Sequence, residues 1–284
     1  MREKVTINTI QARKVGPKLT MVTAYDTPSA LIADKAGADM ILVGDSLTDN
    51  VLGFPDTLAA TIDIMVHHTA AVTRAQPQSL IISDMPWLSY HISIEETVRN
   101  AGRLIREGRA DAVKLEGGRK RLPMIEAILA AEIPLMGHLG LTPQSVLAMG
   151  GYKVQGRQAD VAHELLEDAR SLAAAGVFAI VLEGVPDILA RAISGAVPVP
   201  TIGIGAGAYC DGQVLVFHDV LGLHLTKQPA KFVRRYAQLA DTAVSALEAF
   251  FADIQSGDFP ADMESYHMGQ EAARRFEALR DHTD

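Results

Sequence analysis

The sequence predicts an α/β fold, a (β/α)8 TIM barrel with an N-terminal helix and C-terminal helices, and three observations carry that prediction. Short apolar runs recur along the chain without the alternation of a half-exposed strand, as in a parallel sheet covered on both faces. Three segments, DKAGADMILV, REGRADAVKL and AAAGVFAIVL, repeat a refrain in which a helix stops near a glycine and a strand follows within a few residues. Four of the runs end on an acid: Asp45, Asp84, Glu116 and Glu183. The strand ends of a parallel barrel converge on one rim, where active sites are built. Acids gathered there repel one another. A divalent cation relieves the conflict, and hard oxygen ligands select magnesium over softer metals.

The elements follow in order. Residues 1–18 carry a short amphipathic pattern, VTINTIQARK, expected as a helix plugging the bottom of the barrel. Eight buried strands are then read at LTMVTA from Leu19, MILV from Met40, SLIIS from Ser79, AVKL from Ala112, IPLMG from Ile133, FAIVL from Phe178, VPTIGI from Val199 and QVLVF from Gln213. Between them the clearest helical patterns run from Pro28 to Ala36, Ile94 to Glu107 and Ala159 to Ala175, stopped by Gly37, Gly108 and Gly176. From Lys231 onward, FVRRYAQLADTAVSALEAFFADIQSG spaces its apolar residues three and four apart, so a helix with a face to bury is expected. Residues 262–284 are charged and expected as a frayed helix or flexible tail. Eight βα units close a barrel, whereas a doubly wound open sheet usually has fewer strands. With no linker or low-complexity stretch, residues 1–284 read as one domain.

A chain of 284 residues with 48% hydrophobic content can bury a substantial core. Its net charge of −8 gives no footprint for nucleic acid, and its nine histidines show no HExxH-like spacing, so a small molecule is the expected partner. Cys210 is the only cysteine, which excludes an intrachain disulfide. The first residues do not read as a signal peptide, and no stretch nears the roughly 18 apolar residues that suggest a membrane span. A cytoplasmic enzyme without nucleic-acid or membrane partners is expected.

The strings TAYD, VGDSL, SDMP, VKLEGG, GHLGLTPQS, GGYKVQGR, LEGVP and GIGAG occur in this order, and residues 19 to about 260 closely resemble the ketopantoate hydroxymethyltransferase family. The resemblance implies a barrel of the phosphoenolpyruvate mutase and isocitrate lyase superfamily, a homo-oligomer, usually a decamer, and dependence on Mg2+. It also implies transfer of a hydroxymethyl group from 5,10-methylenetetrahydrofolate to C3 of the 2-oxoacid 3-methyl-2-oxobutanoate. The product would be 2-dehydropantoate, in pantothenate synthesis. Removing the weakly acidic C3 proton requires a base, and the charge developing on the enolate oxygen requires a stabiliser such as a Lewis-acidic metal.

The family pattern puts Asp45 and Asp84 on metal and substrate, with Glu116 in the same sphere, directly or through water. Lys114 precedes Glu116 by two residues, so both side chains point to one face of a strand, and the resemblance assigns Lys114 to the substrate. Ser46 can offer its hydroxyl or backbone N–H to the substrate carboxylate, although a lone serine is more often a turn residue. Glu183, with no basic neighbour in sequence, is the expected general base, its pKa raised by desolvation. His138 becomes a pocket residue that polarises oxygen or carries protons. Lys153 and Arg157 are equally readable as a folate-attracting loop or a solvated one. The glycines of GIGAG either present amides to an anion or permit tight packing. His67 and His68 read as structural or interfacial.

Three departures from relatives stand out. Thr48, Asp49 and Asn50 follow VGDSL where a Gly-Met pair is usual, and a threonine excludes positive-φ backbone unless the loop is rebuilt. PAKF at 229–232 replaces PKF, and the chain differs past residue 262. The altered loop motivates an alternative reading as a catalytically impaired barrel. A related Mg2+-dependent carbon–carbon lyase or aldolase is a second alternative, although the KxCGH string common in those enzymes is absent.

Overall fold

The computed structural model describes residues 2–226 and 228–280. Eight parallel strands, β1 (Leu19–Thr23), β2 (Met40–Val43), β3 (Leu80–Asp84), β4 (Ala112–Glu116), β5 (Leu135–Gly140), β6 (Ala179–Glu183), β7 (Thr201–Ile204) and β8 (Gly212–Leu215), pair in sequence order, and β8 closes onto β1. The helices are α1 (Ile7–Gln11), α2 (Thr27–Lys35), α3 (Leu47–Asn50), α4 (Ile62–Thr73), α5 (Ile94–Arg106), α6 (Leu122–Ala130), α7 (Val146–Met149), α8 (Ala159–Ala175), α9 (Asp187–Ala196), α10 (Phe217–Leu221), α11 (Leu239–Ser256) and α12 (Gln270–Arg280). The expected (β/α)8 barrel is present. By internal packing, residues Met1–Ala237 form one compact unit and Gln238–Asp284 another.

Local chemistry explains the helix starts. Asp26, the acid of TAYD, caps α2 by accepting from the Ser29 N–H at 2.8 Å. Ser93 caps α5, which places Glu95 and Glu96 in its first turn and Arg103 and Arg106 in its last, matching the helix dipole.

Two apolar layers build the barrel. Leu80, Ile82, Ala112, Met136, Ala179 and Val181 belong to the inner core, while Ile41, Ile81, Val113, Leu115, Ile180 and Leu182 join the core shared with the helices. The period of two therefore carries Leu80 and Ile82 to Asp84, Ala112 to Lys114 and Glu116, Met136 to His138, and Val181 to Glu183. The inner face is apolar below and charged at its C-terminal rim.

The N-terminal segment closes the other end, as expected, with Val5 and Ile10 buried in the inner core. An aspartate clasp recurs there. Asp39 accepts from Thr20 N–H at 2.8 Å and pairs with Arg13 at 2.6 Å; Asp111 accepts from Ile81 N–H and pairs with Lys4, both at 2.8 Å; Asp211 accepts from Thr201 N–H and pairs with Lys14, both at 2.8 Å. The first two aspartates are those of the GAD and RAD refrains. Each staples neighbouring strands and ties the N-terminal segment beneath them.

Two expectations need correction. No helix separates β7 from β8; residues 205–211 make the return alone, which short four-residue strands permit. The last long helix begins at Leu239 rather than Lys231. Residues before it are held elsewhere: Tyr236 N–H donates to Val220 O of α10, and Phe232 lies over Gly205 so closely that a Cβ there would come within 2.7 Å of its ring. Residues 262–280 contain a short turn and α12, and residues 281–284 of the expected tail lie outside the described residues.

Candidate active site

The charged inward residues of β2–β6 meet at the C-terminal rim around a cavity of about 110 Å3. Asp45, Ser46, Asp84, Lys114, Glu116, His138 and Glu183 all line it, so the rim brings together every residue assigned above to catalysis, substrate or metal. Leu42, Val181, Ile204, Val214, Leu215 and Val216 give the same cavity an apolar part. The volume is far below the roughly 300–1,000 Å3 of drug-sized ligand sites.

Strand register sets the contacts. Asp84 pairs with Lys114 and Glu116 with His138 across adjacent strands. Lys114 Nζ lies 3.0 Å from Asp84 Oδ1 and 3.0 Å from His138 Nδ1. The other imidazole nitrogen, Nε2, is 3.3 Å from Glu183 Oε2. Asp45 reaches the same point from the turn after β2, its N–H donating to Asp84 Oδ2 at 3.1 Å. Ser46 shares a hydrogen bond with the Tyr25 hydroxyl at 2.9 Å.

These surroundings move the proton affinities. Burial, then the nearby Asp84 charge, pushes the Asp45 carboxyl up to about 7. Burial also holds Glu116 well above the usual carboxylate range, with the Lys114 charge opposing. Burial favours a neutral Lys114, but Asp84, Glu116 and Asp45 outweigh it and hold the ammonium above the usual lysine range. His138 is held well below its ordinary value by burial and the Lys114 charge, so its imidazole is neutral. Glu183, pushed up to about 7 by burial, can exchange a proton near neutrality.

The donor set is consistent with magnesium of a particular kind. Asp84 accepts from the Asp45 N–H through Oδ2, while its buried Oδ1 has no hydrogen bond and faces the Lys114 ammonium at 3.0 Å. Asp45 and Glu116 are each held through one oxygen, by the Gln144 side chain at 2.8 Å and the Gln144 N–H at 3.1 Å. Among the described residues no three His, Cys, Asp or Glu side chains form a ready metal cage. Magnesium does not require one, since it usually keeps several waters and binds through one or two carboxylates plus substrate oxygens.

Other expectations resolve differently. Thr48 lies in α3 rather than in a strained loop, and after β2 the first left-handed glycine is Gly53. Thr48 is buried and its hydroxyl donates to Asp45 O at 2.9 Å or to Asp56 O at 2.8 Å. The departure thus anchors the Asp45 turn. Lys153 and Arg157 are exposed; their loop reaches toward the site through Gln155 N–H, which donates to Gly184 O, and through Tyr152, whose hydroxyl is held above its ordinary value by burial and then by nearby acids that include Asp45 and Glu183. The glycines of GIGAG serve packing: a Cβ at Gly207 would come within 2.6 Å of Asp187. His68 accepts a structural place, with Nδ1 2.7 Å from Tyr25 O, while His67 is exposed. Gln144, Tyr25 and Tyr90 carry contacts that sequence reasoning did not single out, although the first two lie inside quoted strings.

A family model described as Ketopantoate hydroxymethyltransferase matches residues 4–262. The chain belongs to the ketopantoate hydroxymethyltransferase family. Among relatives of this family, the 3-methyl-2-oxobutanoate hydroxymethyltransferase of Moorella thermoacetica (strain ATCC 39073 / JCM 9320) is 56% identical over 266 residues, covering 93% of this chain and 98% of that protein. The enzyme of the same name from Koribacter versatilis (strain Ellin345) is 51% identical over 280 residues, covering 98% and 95%. Solved structures share the fold at low identity. A 2,3-dimethylmalate lyase of the PEP mutase/isocitrate lyase superfamily has a TM-score of 0.57 at 15% identity, covering 98% of each chain. The phosphoenolpyruvate phosphomutase of Streptomyces platensis subsp. rosaceus has 0.58 at 14%, covering 97% and 96%. Membership in this hydroxymethyltransferase family fits a rim of acids, one lysine and one histidine. No helix of the described residues is long and apolar enough to cross a membrane.

Proposed function

We propose that the chain transfers a hydroxymethyl group from 5,10-methylenetetrahydrofolate to C3 of 3-methyl-2-oxobutanoate, giving 2-dehydropantoate for pantothenate synthesis. The supporting observation is a small cavity lined both by acids, Lys114 and His138 and by branched aliphatic side chains. Magnesium, when bound by Asp45 and Asp84 with Glu116 in the same sphere, would supply Lewis-acid charge where negative charge develops on the ketone oxygen. Lys114 binds and orients the substrate carboxylate and ketone, its charge balancing the acids around it. Val181, Val214 and Leu215 receive the isopropyl end and turn C3 toward Glu183. Glu183 removes the C3 proton, for which a carboxylate pKa near 7 is well matched. Neutral His138, held by Lys114 at Nδ1, places Nε2 3.3 Å from Glu183 Oε2. The folate donor is too large for the cavity and approaches from the open rim. A homo-oligomer, a decamer by resemblance, belongs to the same proposal, with native mass as its test.

The deciding experiment follows the C3 proton of 3-methyl-2-oxobutanoate by NMR in D2O with Mg2+, with and without the folate donor. Metal-dependent exchange and appearance of 2-dehydropantoate are expected. Exchange without transfer would overturn the donor, and no exchange would overturn the acceptor.

A further inference from the structure

Gln144 sits in the turn after β5, residues Pro143–Ser145, and is buried at 4% exposure. Its side chain is fully engaged. Nε2 donates to Asp45 Oδ2 at 2.8 Å and to Met85 O at 3.0 Å, while Oε1 accepts from the Tyr90 hydroxyl at 2.5 Å. Its backbone N–H donates to Glu116 Oε2 at 3.1 Å. Tyr90 closes the ring by accepting from the Glu116 N–H at 3.4 Å. One residue therefore grips one oxygen of each of two carboxylates that come from different strands. Their second oxygens, Asp45 Oδ1 and Glu116 Oε1, are left for other partners, and Glu116 Oε1 is 3.5 Å from His138 Nδ1 in the cavity wall.

We propose that Gln144 is a positioning residue that decides which oxygens of Asp45 and Glu116 face a divalent cation. This rests on the magnesium-dependent reading above. An amide suits the task. Facing an ionised carboxylate it offers only donors and no charge, so it fixes the acid without competing for the metal. Tyr90 fixes the amide in turn, since its O–H can reach only the Oε1 end. Groups of this outer kind typically contribute 10–100-fold to metal affinity or activity when they orient ligands.

The test compares the full-length protein with Gln144→Met, which keeps the side-chain length but removes both donors, and with Tyr90→Phe, which releases only the far end of the amide. Mg2+ affinity is measured by calorimetry, thermal melting checks the fold, and C3 exchange is followed as a function of Mg2+ concentration. Gln144→Met is expected to weaken Mg2+ binding roughly 10–100-fold, with exchange recovering toward the parent rate at saturating metal. Tyr90→Phe is expected to weaken binding in the same direction by a smaller factor, and it keeps the idea testable if Gln144→Met does not fold. Unchanged Mg2+ affinity in a folded variant, with only a lower melting temperature, would reduce Gln144 to packing and overturn the proposal. Failure of the parent protein itself to bind Mg2+ would instead overturn the magnesium reading.

Discussion

Lys114 Nζ lies 3.0 Å from His138 Nδ1, and this contact decides where the imidazole carries its proton. The ammonium can only donate, so Nδ1 accepts and the proton of the neutral ring resides on Nε2, 3.3 Å from Glu183 Oε2. Asp84, Lys114, His138 and Glu183 thus form one polar line across four adjacent strands. Charge is balanced at one end and proton transfer is available at the other.

Glu183→Gln is expected to abolish C3 exchange while Mg2+ affinity stays within about threefold of the parent, a change too small to involve a lost ligand. In the parent, exchange rises with pH through about 7, because the base must be ionised. The folded-state pKa is raised above the unfolded one. The stabilising contribution is therefore present below about 4.5 and lost as pH rises through about 7. A neutral glutamine avoids that loss, so the variant should melt higher than the parent at pH 8.5 and similarly at pH 4.5. Equal melting temperatures at both values would show Glu183 to be an ordinary surface acid.

Lys114→Met removes the cation that balances Asp84, Glu116 and Asp45. Breaking a buried pair by removing one partner costs about 3–5 kcal/mol, and denaturant unfolding should show a loss of that order. Turnover should vanish too. Lys114→Arg, which keeps the charge but not the size, should recover much of the stability and little of the activity.

Val214→Ala enlarges the aliphatic wall. The KM for 3-methyl-2-oxobutanoate should rise about tenfold or more, in keeping with roughly 1–3 kcal/mol per lost apolar contact of this size, while longer 2-oxoacids gain relative to it. Steady-state kinetics with a series of 2-oxoacids checks this. An unchanged preference would place the substrate's branched end elsewhere.

Thr48→Val keeps shape but removes the hydroxyl that can donate to Asp45 O or Asp56 O. Asp45 O keeps the backbone N–H of residue 48, so the cost is that of one net hydrogen bond, roughly 0.5–1.5 kcal/mol, read by denaturant unfolding. Weaker Mg2+ binding is also expected, since Asp45 sits on the loosened turn. Binding equal to that of the parent would mean that the turn is held by its other contacts.

Asp39→Ala opens one clasp at the closed end of the barrel, removing acceptors for Thr20 and Arg13. Hydrogen bonds to a charged group contribute about 1.5–3 kcal/mol, so melting should fall by several degrees. C3 exchange at 25 °C should be unaffected, because the clasp lies at the opposite end from the catalytic rim.

The strand runs, the Gly-ended refrains and the acids that close four strands are local signals, and from them the barrel and the rim were legible. A period of two was enough to place Lys114 and Glu116 on one face. Helix α8 could likewise be read to its ends, since Gly176 stops it in left-handed backbone. The missing helix between β7 and β8, and the start of α11 at Leu239, were not legible. Helical spacing says what a segment can form, whereas the contacts of Phe232 and Tyr236 decide what it does form. Thr48 misled for a related reason: a family habit of glycine at that turn says nothing about φ in a chain that makes a helix there.

By itself, then, the sequence determined the family, the barrel and the set of acids, because strand periodicity and motif order are properties of the chain alone. Tertiary structure decided which oxygen of each acid is held, which nitrogen of His138 accepts, and that Gln144 reaches both Asp45 and Glu116. Those are contacts between residues far apart in sequence, set by barrel register and by burial that shifts each group's proton affinity according to neighbours the linear chain does not display.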